Sequence, residues 1–276
     1  MKKEFVSILI MISTLSGSAQ DIHFSQFTNA PLQLNPALTG FTECKLRIGI
    51  NYRNQWNSIS TPYITQSAYI DGKIRQRLAK QDWFGIGRLF INDKAGEGSL
   101  SNTMGMLMIA YKKGLNSDNS FIISIGSGFG LVNKSVDFSK LTFDNQWDGT
   151  GFSNLLPNYE IYSDNSVFYF DFNGGILVSY AKSPDFGFYG GISLSHINRP
   201  EISFYGNENR IGRKTILHGG ILGQLSETVA LNPQIMYSIQ NKNTESILGT
   251  NIRIKHNAVD FYLGAWYRWN SDIIPV

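Results

Sequence analysis

The 276 residues carry 24 Lys and Arg against 21 Asp and Glu, a formal net charge of +3, with 16% charged residues, 13% aromatic residues and 27 glycines. A soluble domain holds about 25% charged residues, and so small and scattered a positive excess gives no footprint for nucleic acid. A single cysteine, Cys44, excludes an internal disulfide framework.

The chain opens with Lys2 and Lys3, an apolar run from Phe5 to Ile12, and then Gly17, Ser18 and Ala19. This is the anatomy of a secretory signal peptide. The apolar run is about eight residues long, short of the roughly twenty that a membrane helix needs. Residues 1–19 are therefore expected to be a cleaved leader. Its removal takes Lys2, Lys3 and Glu4 away and lowers the formal charge from +3 to +2. The expected mature chain begins at Gln20 rather than at a cysteine, so a lipid anchor is not indicated. No later stretch is long and apolar enough for a helical span, and any crossing of a membrane must use strands.

Residues 20–44 read as an irregular segment, rich in Asn, Pro and small residues, in which Pro31 and Pro36 argue against a regular strand or helix. Its expected place is the periplasmic mouth, folded against the barrel as a plug. Asn35 would bond neighbouring backbone, and His23 and Gln26 interior polar groups. Docking of a periplasmic partner is the other reading. Cys44 reads as a small residue at a strand start.

From residue 45 onward the dominant signal is two-residue alternation, which means strands with one apolar face. Leu46, Ile48, Ile50 and Tyr52 oppose Arg47, Gly49, Asn51 and Arg53. Phe168, Phe170, Phe172, Gly174, Ile176 and Val178 oppose Tyr169, Asp171, Asn173 and Ser179. Val259, Phe261, Leu263, Ala265, Tyr267 and Trp269 oppose Asp260, Tyr262, Gly264, Trp266 and Arg268. Eleven strands are expected, near 45–55, 62–72, 82–91, 100–112, 119–131, 167–181, 186–197, 214–226, 228–240, 246–255 and 258–269. A soluble sandwich also alternates. Strand length, aromatics near strand ends (Tyr52, Tyr111, Tyr180, Tyr267, Trp269) and small residues on the polar face favour an antiparallel transmembrane barrel.

Connection lengths alternate too. Short turns near 113–118, 183–185, 226–228 and 255–257, with a charged connection at 73–81, separate longer segments at 92–99, 132–166 and 199–213. Outer-membrane barrels keep short turns in the periplasm and long loops outside, which places the amino terminus in the periplasm. An eleventh strand then finishes outside, and bare strand edges in lipid cost several kcal/mol per unsatisfied group. Ile273 to Val276 therefore reads as the start of a further downstrand, in a barrel domain of 45–276 truncated at its carboxyl end and of about 14 strands when complete.

The sites that invite chemistry are weak. Asp21 with His23 suggests acid–base work, and His196, His218 and His256 suggest a metal, but no ligand spacing supports either. Gly126-Ser127-Gly128-Phe129-Gly130 imitates a nucleotide motif inside a strand with no helix after it, where glycine instead permits curvature or close approach of interior groups. No nucleophile, base and acid grouping stands out, so no catalytic, cofactor-binding or metal-binding residue is nominated and no small-molecule cofactor is expected. Two loops invite partner contact: one carries Phe143, Trp147, Phe152 and Tyr159, the other Arg199, Arg210, Arg213 and Lys214 with Glu201 and Glu208. Exposed aromatics suit protein contacts, although a solvated loop explains the charges equally well.

Certain stretches carry a family likeness. Residues Gln20-Asp21-Ile22-His23-Phe24-Ser25-Gln26-Phe27 and Ala30-Pro31-Leu32-Gln33-Leu34-Asn35-Pro36-Ala37-Leu38-Thr39-Gly40 form an opening signature. Asn51-Tyr52-Arg53-Asn54-Gln55-Trp56, Asp171-Phe172-Asn173-Gly174-Gly175-Ile176, Gly191 to Pro200 with His196, and Ala265-Trp266-Tyr267-Arg268 followed by Ile274-Pro275 continue it. In this order they resemble the PorP/SprF family. The resemblance implies an outer-membrane protein of Bacteroidota tied to type IX secretion and, in gliding species, to export of very large adhesins. It implies partners among membrane lipid, secreted cargo and other secretion components. Family members usually continue past the Ile-Pro position. A passive solute porin is the rival reading, for which the barrel alone suffices.

Overall fold

A computed structural model describes residues 21–22, 24–58, 61–74, 82–153, 155–160, 164–183, 185–206, 208–256 and 259–270. Among these residues eleven strands form one sheet in chain order: β1 (Leu46–Gln55), β2 (Tyr63–Ile74), β3 (Asp82–Ala95), β4 (Leu100–Gly114), β5 (Phe121–Ser135), β6 (Ser166–Ser183), β7 (Phe186–Ser195), β8 (Lys214–Gln224), β9 (Val229–Gln240), β10 (Asn243–His256) and β11 (Val259–Asn270). Every neighbouring pair is antiparallel. No pairing joins β1 to β11 among the described residues. The expected start of a further strand at Ile273 to Val276 and the expected leader lie outside those residues.

Alternation sets the two faces, because successive side chains in a strand point to opposite sides. Leu46, Ile48 and Ile50 of β1, Phe168 and Phe170 of β6, and Phe261 and Leu263 of β11 are all exposed on the outer face, Ile50 by 80%. In a soluble protein this apolar surface would be buried; on a membrane strand it meets lipid. Aromatic pairs sit at both rims of that band. Phe84 and Tyr111 (5.2 Å between rings) and Tyr180 and Phe188 (5.4 Å) mark one, and Trp56 with Tyr63 (5.2 Å) and Tyr267 with Trp269 (5.6 Å) the other.

Several strands run past their expected ends. The ladder of β3 continues through Asn92, Asp93 and Lys94, which pair with Gln66, Thr65 and Ile64 of β2 and with Thr103, Asn102 and Ser101 of β4. Apolar alternation stops where lipid stops, but backbone pairing continues into water. The described parts of the connections after β5 and β7 lie at one end of the sheet with the shorter 96–99 and 241–242, whereas 115–120 and 225–228 lie at the other.

The segment before β1 departs from expectation. Pro31 and Pro36 do not prevent helical structure but start it. Helix α1 (Pro31–Leu34) and a 3-10 turn at Pro36–Leu38 both place proline in the first turn, where its missing N–H costs nothing and its fixed φ is already suited. Nor does the segment sit at one mouth. Asp21 lies at the long-loop end, beside His196 and Gln240, while Gly40 lies at the short-turn end, beside Asp71. In between, Phe27, Ala30, Leu32, Leu34, Asn35, Ala37 and Thr39 are buried against the inner face.

Glycines on the inner face make room for it. In the row Gly85–Ala110–Gly126–Gly175–Ser193 across β3 to β7, a Cβ on Gly126 would lie 2.4 Å from the carbonyl of Pro36, and one on Gly175 only 2.0 Å from Asn35 Oδ1. The glycine-rich stretch of β5 thus serves close approach of an interior group. Gly105, on the outer face of β4, has nothing within 4 Å. Gly175→Val is expected to unseat the segment and destabilise the protein by about 1–3 kcal/mol, as overpacking does. Gly105→Ala is expected to stay within about 0.5 kcal/mol of the parent. Thermal unfolding of detergent-solubilised protein checks both.

Candidate functional site

Among the described residues, three polar nodes of the interior hold the segment before β1. Asn35 is the middle one. It is fully buried, its Oδ1 accepts from Ala37 N (2.8 Å), and its Nδ2 donates toward the carbonyls of Ile176 (3.1 Å) and Ile192 (3.2 Å) and lies 3.0 Å from His218 Nε2. An isolated amide in so dry a place would cost on the order of 1–3 kcal/mol; here β6, β7 and β8 satisfy it.

The second node lies at the short-turn end. The Asp71 carboxylate takes Arg47 Nε (2.9 Å) and Nη2 (2.8 Å) in a two-pronged pair, and Gly40 N donates to it at 2.6 Å. Beside it Lys112 Nζ, wholly buried, donates to the Thr39 carbonyl. Arg47 Nη2 also reaches the Leu38 carbonyl at 3.2 Å. Backbone groups that the irregular segment cannot pair internally are therefore met by charged groups of β1, β2 and β4.

The third node lies at the long-loop end. His196, just after β7, sits between two carboxylates, with Nε2 2.6 Å from Asp21 and Nδ1 2.9 Å from Asp171. Both ring nitrogens face acceptors, so both carry hydrogen and the ring is an imidazolium. Burial opposes that charge, but hydrogen bonds to Asp171 and Asp21 and their charges outweigh it and raise the His196 pKa to about 10. For Asp21, burial likewise opposes the charged form, and the His196 contact with nearby Lys214 more than compensates, holding its carboxyl below the usual range.

Of the residues singled out in the sequence, the structure gathers Asn35, Pro36, Ala37, Gly40, Gly175 and His196 in these nodes. Asn173 joins them, its Oδ1 accepting His196 N at 3.1 Å. Arg53 donates to Thr65 Oγ1 (3.0 Å) on the inner face, whereas Tyr52 and Trp56 stand exposed at the rim and Gln55 is half-buried. Gly174 lies on the outer face against Ile197. Pro200 is buried and its carbonyl accepts Ile211 N. Pro31 is buried and Phe24 half-buried. Gln26 is a correction: it is exposed and accepts a bond from its neighbour Asn29 (2.8 Å), not from an interior group. Ser25 is exposed too, and His23 lies outside the described residues. Asp21 pairs with His196, a partner 175 positions away that spacing did not reveal. Lys112 and Asp71 were also missed. Their only signal was an ionisable side chain on an inner-face position.

At the long-loop end the two large loops pack on each other. Phe138 meets Phe204 (6.3 Å) and Tyr205 (6.5 Å), and Asp164 N donates to the Phe204 carbonyl. From this cap Trp147 and Phe152, joined edge to face at 5.1 Å, project with Leu155 and Tyr159, and Leu155 is 96% exposed. Phe143 is half-buried; Arg199, Arg210 and Arg213 are exposed. Among the described residues no group of His, Cys, Asp and Glu forms a metal-holding set.

The molecule thus combines an antiparallel sheet with an apolar outer band, an inner face packed against residues 27–40, and capping loops. Residues 16–276 match the family described as type IX secretion system membrane protein PorP/SprF. The chain belongs to the PorP/SprF family. It is a type IX secretion-associated protein of the outer membrane, where strand-built spans are at home. No curated protein matches it. Among solved structures this PorP/SprF chain is similar to the Ralstonia pickettii toluene transporter TbuX, with a TM-score of 0.51 and 14% identity, covering 92% of this chain and 84% of that one. At that identity the likeness concerns fold alone.

The His196 node gives a signed pH prediction. A folded pKa of about 10 against about 6.5 unfolded means its contribution is complete below pH 6.5 and lost as pH rises toward 10. The lowered Asp21 value means its share is lost only on acidification through that folded value. Amide exchange, corrected for intrinsic rate, is expected to show protection of residues 21–34 falling between pH 7 and 10.5. In Asp21→Asn this dependence is expected to weaken.

Proposed function

We propose that this PorP/SprF protein is a non-enzymatic component that supports export or surface anchoring of particular large secreted proteins, adhesins among them, and that its loop cap is what the cargo touches. The observation that carries this reading is the cluster Trp147, Phe152, Leu155 and Tyr159, apolar surface held at the long-loop end on loops that pack through Phe138. Isolated apolar side chains on a surface need no explanation, but a cluster of large ones marks a place where another protein binds. Arg199, Arg210 and Arg213 add a charged margin of the kind that steers association. In this reading the leader 1–19 directs export, and the cap faces outward.

A second reading, a passive solute channel, has the transporter-like fold in its favour. Against it stands the segment 21–40, bonded through its backbone to β1, β2, β4, β5 and β7. A channel so filled conducts only when that segment leaves.

Deleting 144–160 is expected to leave membrane insertion intact while one or a few large proteins accumulate in the periplasm instead of reaching the surface. Mass spectrometry of periplasmic against surface and medium fractions checks this. An unchanged distribution, with candidate cargo expressed, overturns the cargo reading and makes solute uptake the next question.

A further inference from the structure

Inner faces of membrane barrels are ordinarily polar, yet part of this one is not. On the inner side of β3 to β6 three successive cross-strand rows read Ile91–Met104–Val132–Tyr169, Leu89–Met106–Gly130–Asp171 and Gly87–Met108–Gly128–Asn173. Methionine side chains lie over the glycines: a Cβ on Gly130 would come within 2.9 Å of Met106, and one on Gly128 within 2.6 Å of Met108. Leu32 of α1 seals the lower edge of this patch.

Above it is a cavity of about 490 Å³, bounded by the segment 21–34 on one side and opening toward Asn209 and Arg210 of the long-loop end. That volume falls in the range of about 300–1,000 Å³ that small-molecule sites occupy. Its apolar wall is Leu89, Ile91, Met104, Met106 and Val132. Among the described residues, three buried atoms on its lining have no protein hydrogen-bond partner: Gln33 Oε1, Asn102 Oδ1 and Asp171 Oδ2. Gln33 Nε2 already donates to Ile22 O (2.7 Å), and Asp171 Oδ1 is taken by His196. What these groups still offer is acceptor capacity. The lining also carries Asp93, Lys134 and Arg210, while Asp21, Lys214 and His196 face one another.

We infer that this cavity is a binding site for a small amphipathic molecule, with an apolar body that rests on the methionine wall and a hydroxyl or amine that donates to Asn102, Gln33 or Asp171. Methionine suits such a wall, since its unbranched, polarisable side chain adapts to different shapes. The site is independent of cargo contact at the loop cap, and either can fail without the other.

The test uses the full mature chain in lipid nanodiscs titrated with N-phenyl-1-naphthylamine, an apolar fluorophore with one N–H, after subtraction of empty discs. A saturable fluorescence component is expected. Val132→Trp, which fills the cavity, is expected to abolish it, and Asn102→Leu to weaken it about three- to tenfold, the worth of one hydrogen bond. Phe129→Ala on the lipid face is expected to leave it unchanged. A signal no greater than that of empty discs, or one unaltered in Val132→Trp, overturns the site. Equal affinity for 1-benzylnaphthalene, in which a CH2 replaces the N–H between the same two rings, overturns recognition by the acceptors. Should Val132→Trp fail to fold, as read by heat-modified gel mobility, Asn102→Leu and the hydrocarbon comparison decide.

Discussion

Everything in this protein rests on how the backbone of the segment 21–40 is satisfied inside the sheet. Buried peptide groups must be paired, and a segment broken by Pro31 and Pro36 into single helical turns pairs its own only in part. The sheet meets the rest, strand by strand. Asn51 and Arg47 of β1 donate to Asn29 and Leu38 carbonyls, Asp71 of β2 accepts from Gly40, Lys112 of β4 donates to Thr39, Ser124 of β5 to Ala37 and Ser193 of β7 to Leu34. At about 0.5–1.5 kcal/mol each, these bonds hold the segment in register with the wall. Apolar contact completes the circuit: Phe27 and Leu34 share one buried cluster with Ile216 of β8, Met236 of β9 and Ile247 of β10, and Phe27 meets Trp266 of β11 edge to face at 5.3 Å. One short stretch thus touches strands from one edge of the sheet to the other, and the sheet curls around it.

The sheet in turn is shaped for that segment. Glycine on a strand forfeits packing and rigidity, so a row of glycines has to be compensated. Here Asn35, Pro36 and Thr39 occupy the space that side chains at Gly175, Gly126 and Gly85 would take. The family likeness concentrated in 20–40 and in 171–176 has a physical reading, since Asn35 and Gly175 are the two halves of one contact.

Much of this was legible in the sequence and some was not, for one reason. Alternation is local, so the strands and their outer faces follow from single stretches such as Leu46 to Tyr52. Charges such as Asp71, Lys112 and Asp171 were visible only as inner-face positions, because their partners depend on ladder offsets between strands and on the path of a distant segment. Gln26 went wrong in the same way: its polarity was plain, its direction was not. The prolines misled because they were read as breakers, when the first position of a helical turn is where proline fits best. The loop aromatics were legible as residues, and their display required Phe138 to pack against Phe204 across two loops.

Whether the amino-terminal segment fills the interior in the membrane is the point on which the account turns, and the chain supplies its own control. Cys44 is exposed, whereas Ser193 is buried with its hydroxyl on the Leu34 carbonyl. The measurement is maleimide labelling of Ser193→Cys, a near-isosteric change, in isolated outer membranes treated with a water-soluble reagent. A filled interior predicts one label per chain, at Cys44 alone. Two labels at comparable rates would mean that water reaches Ser193, that the segment lies elsewhere, and that the interior is an open lumen.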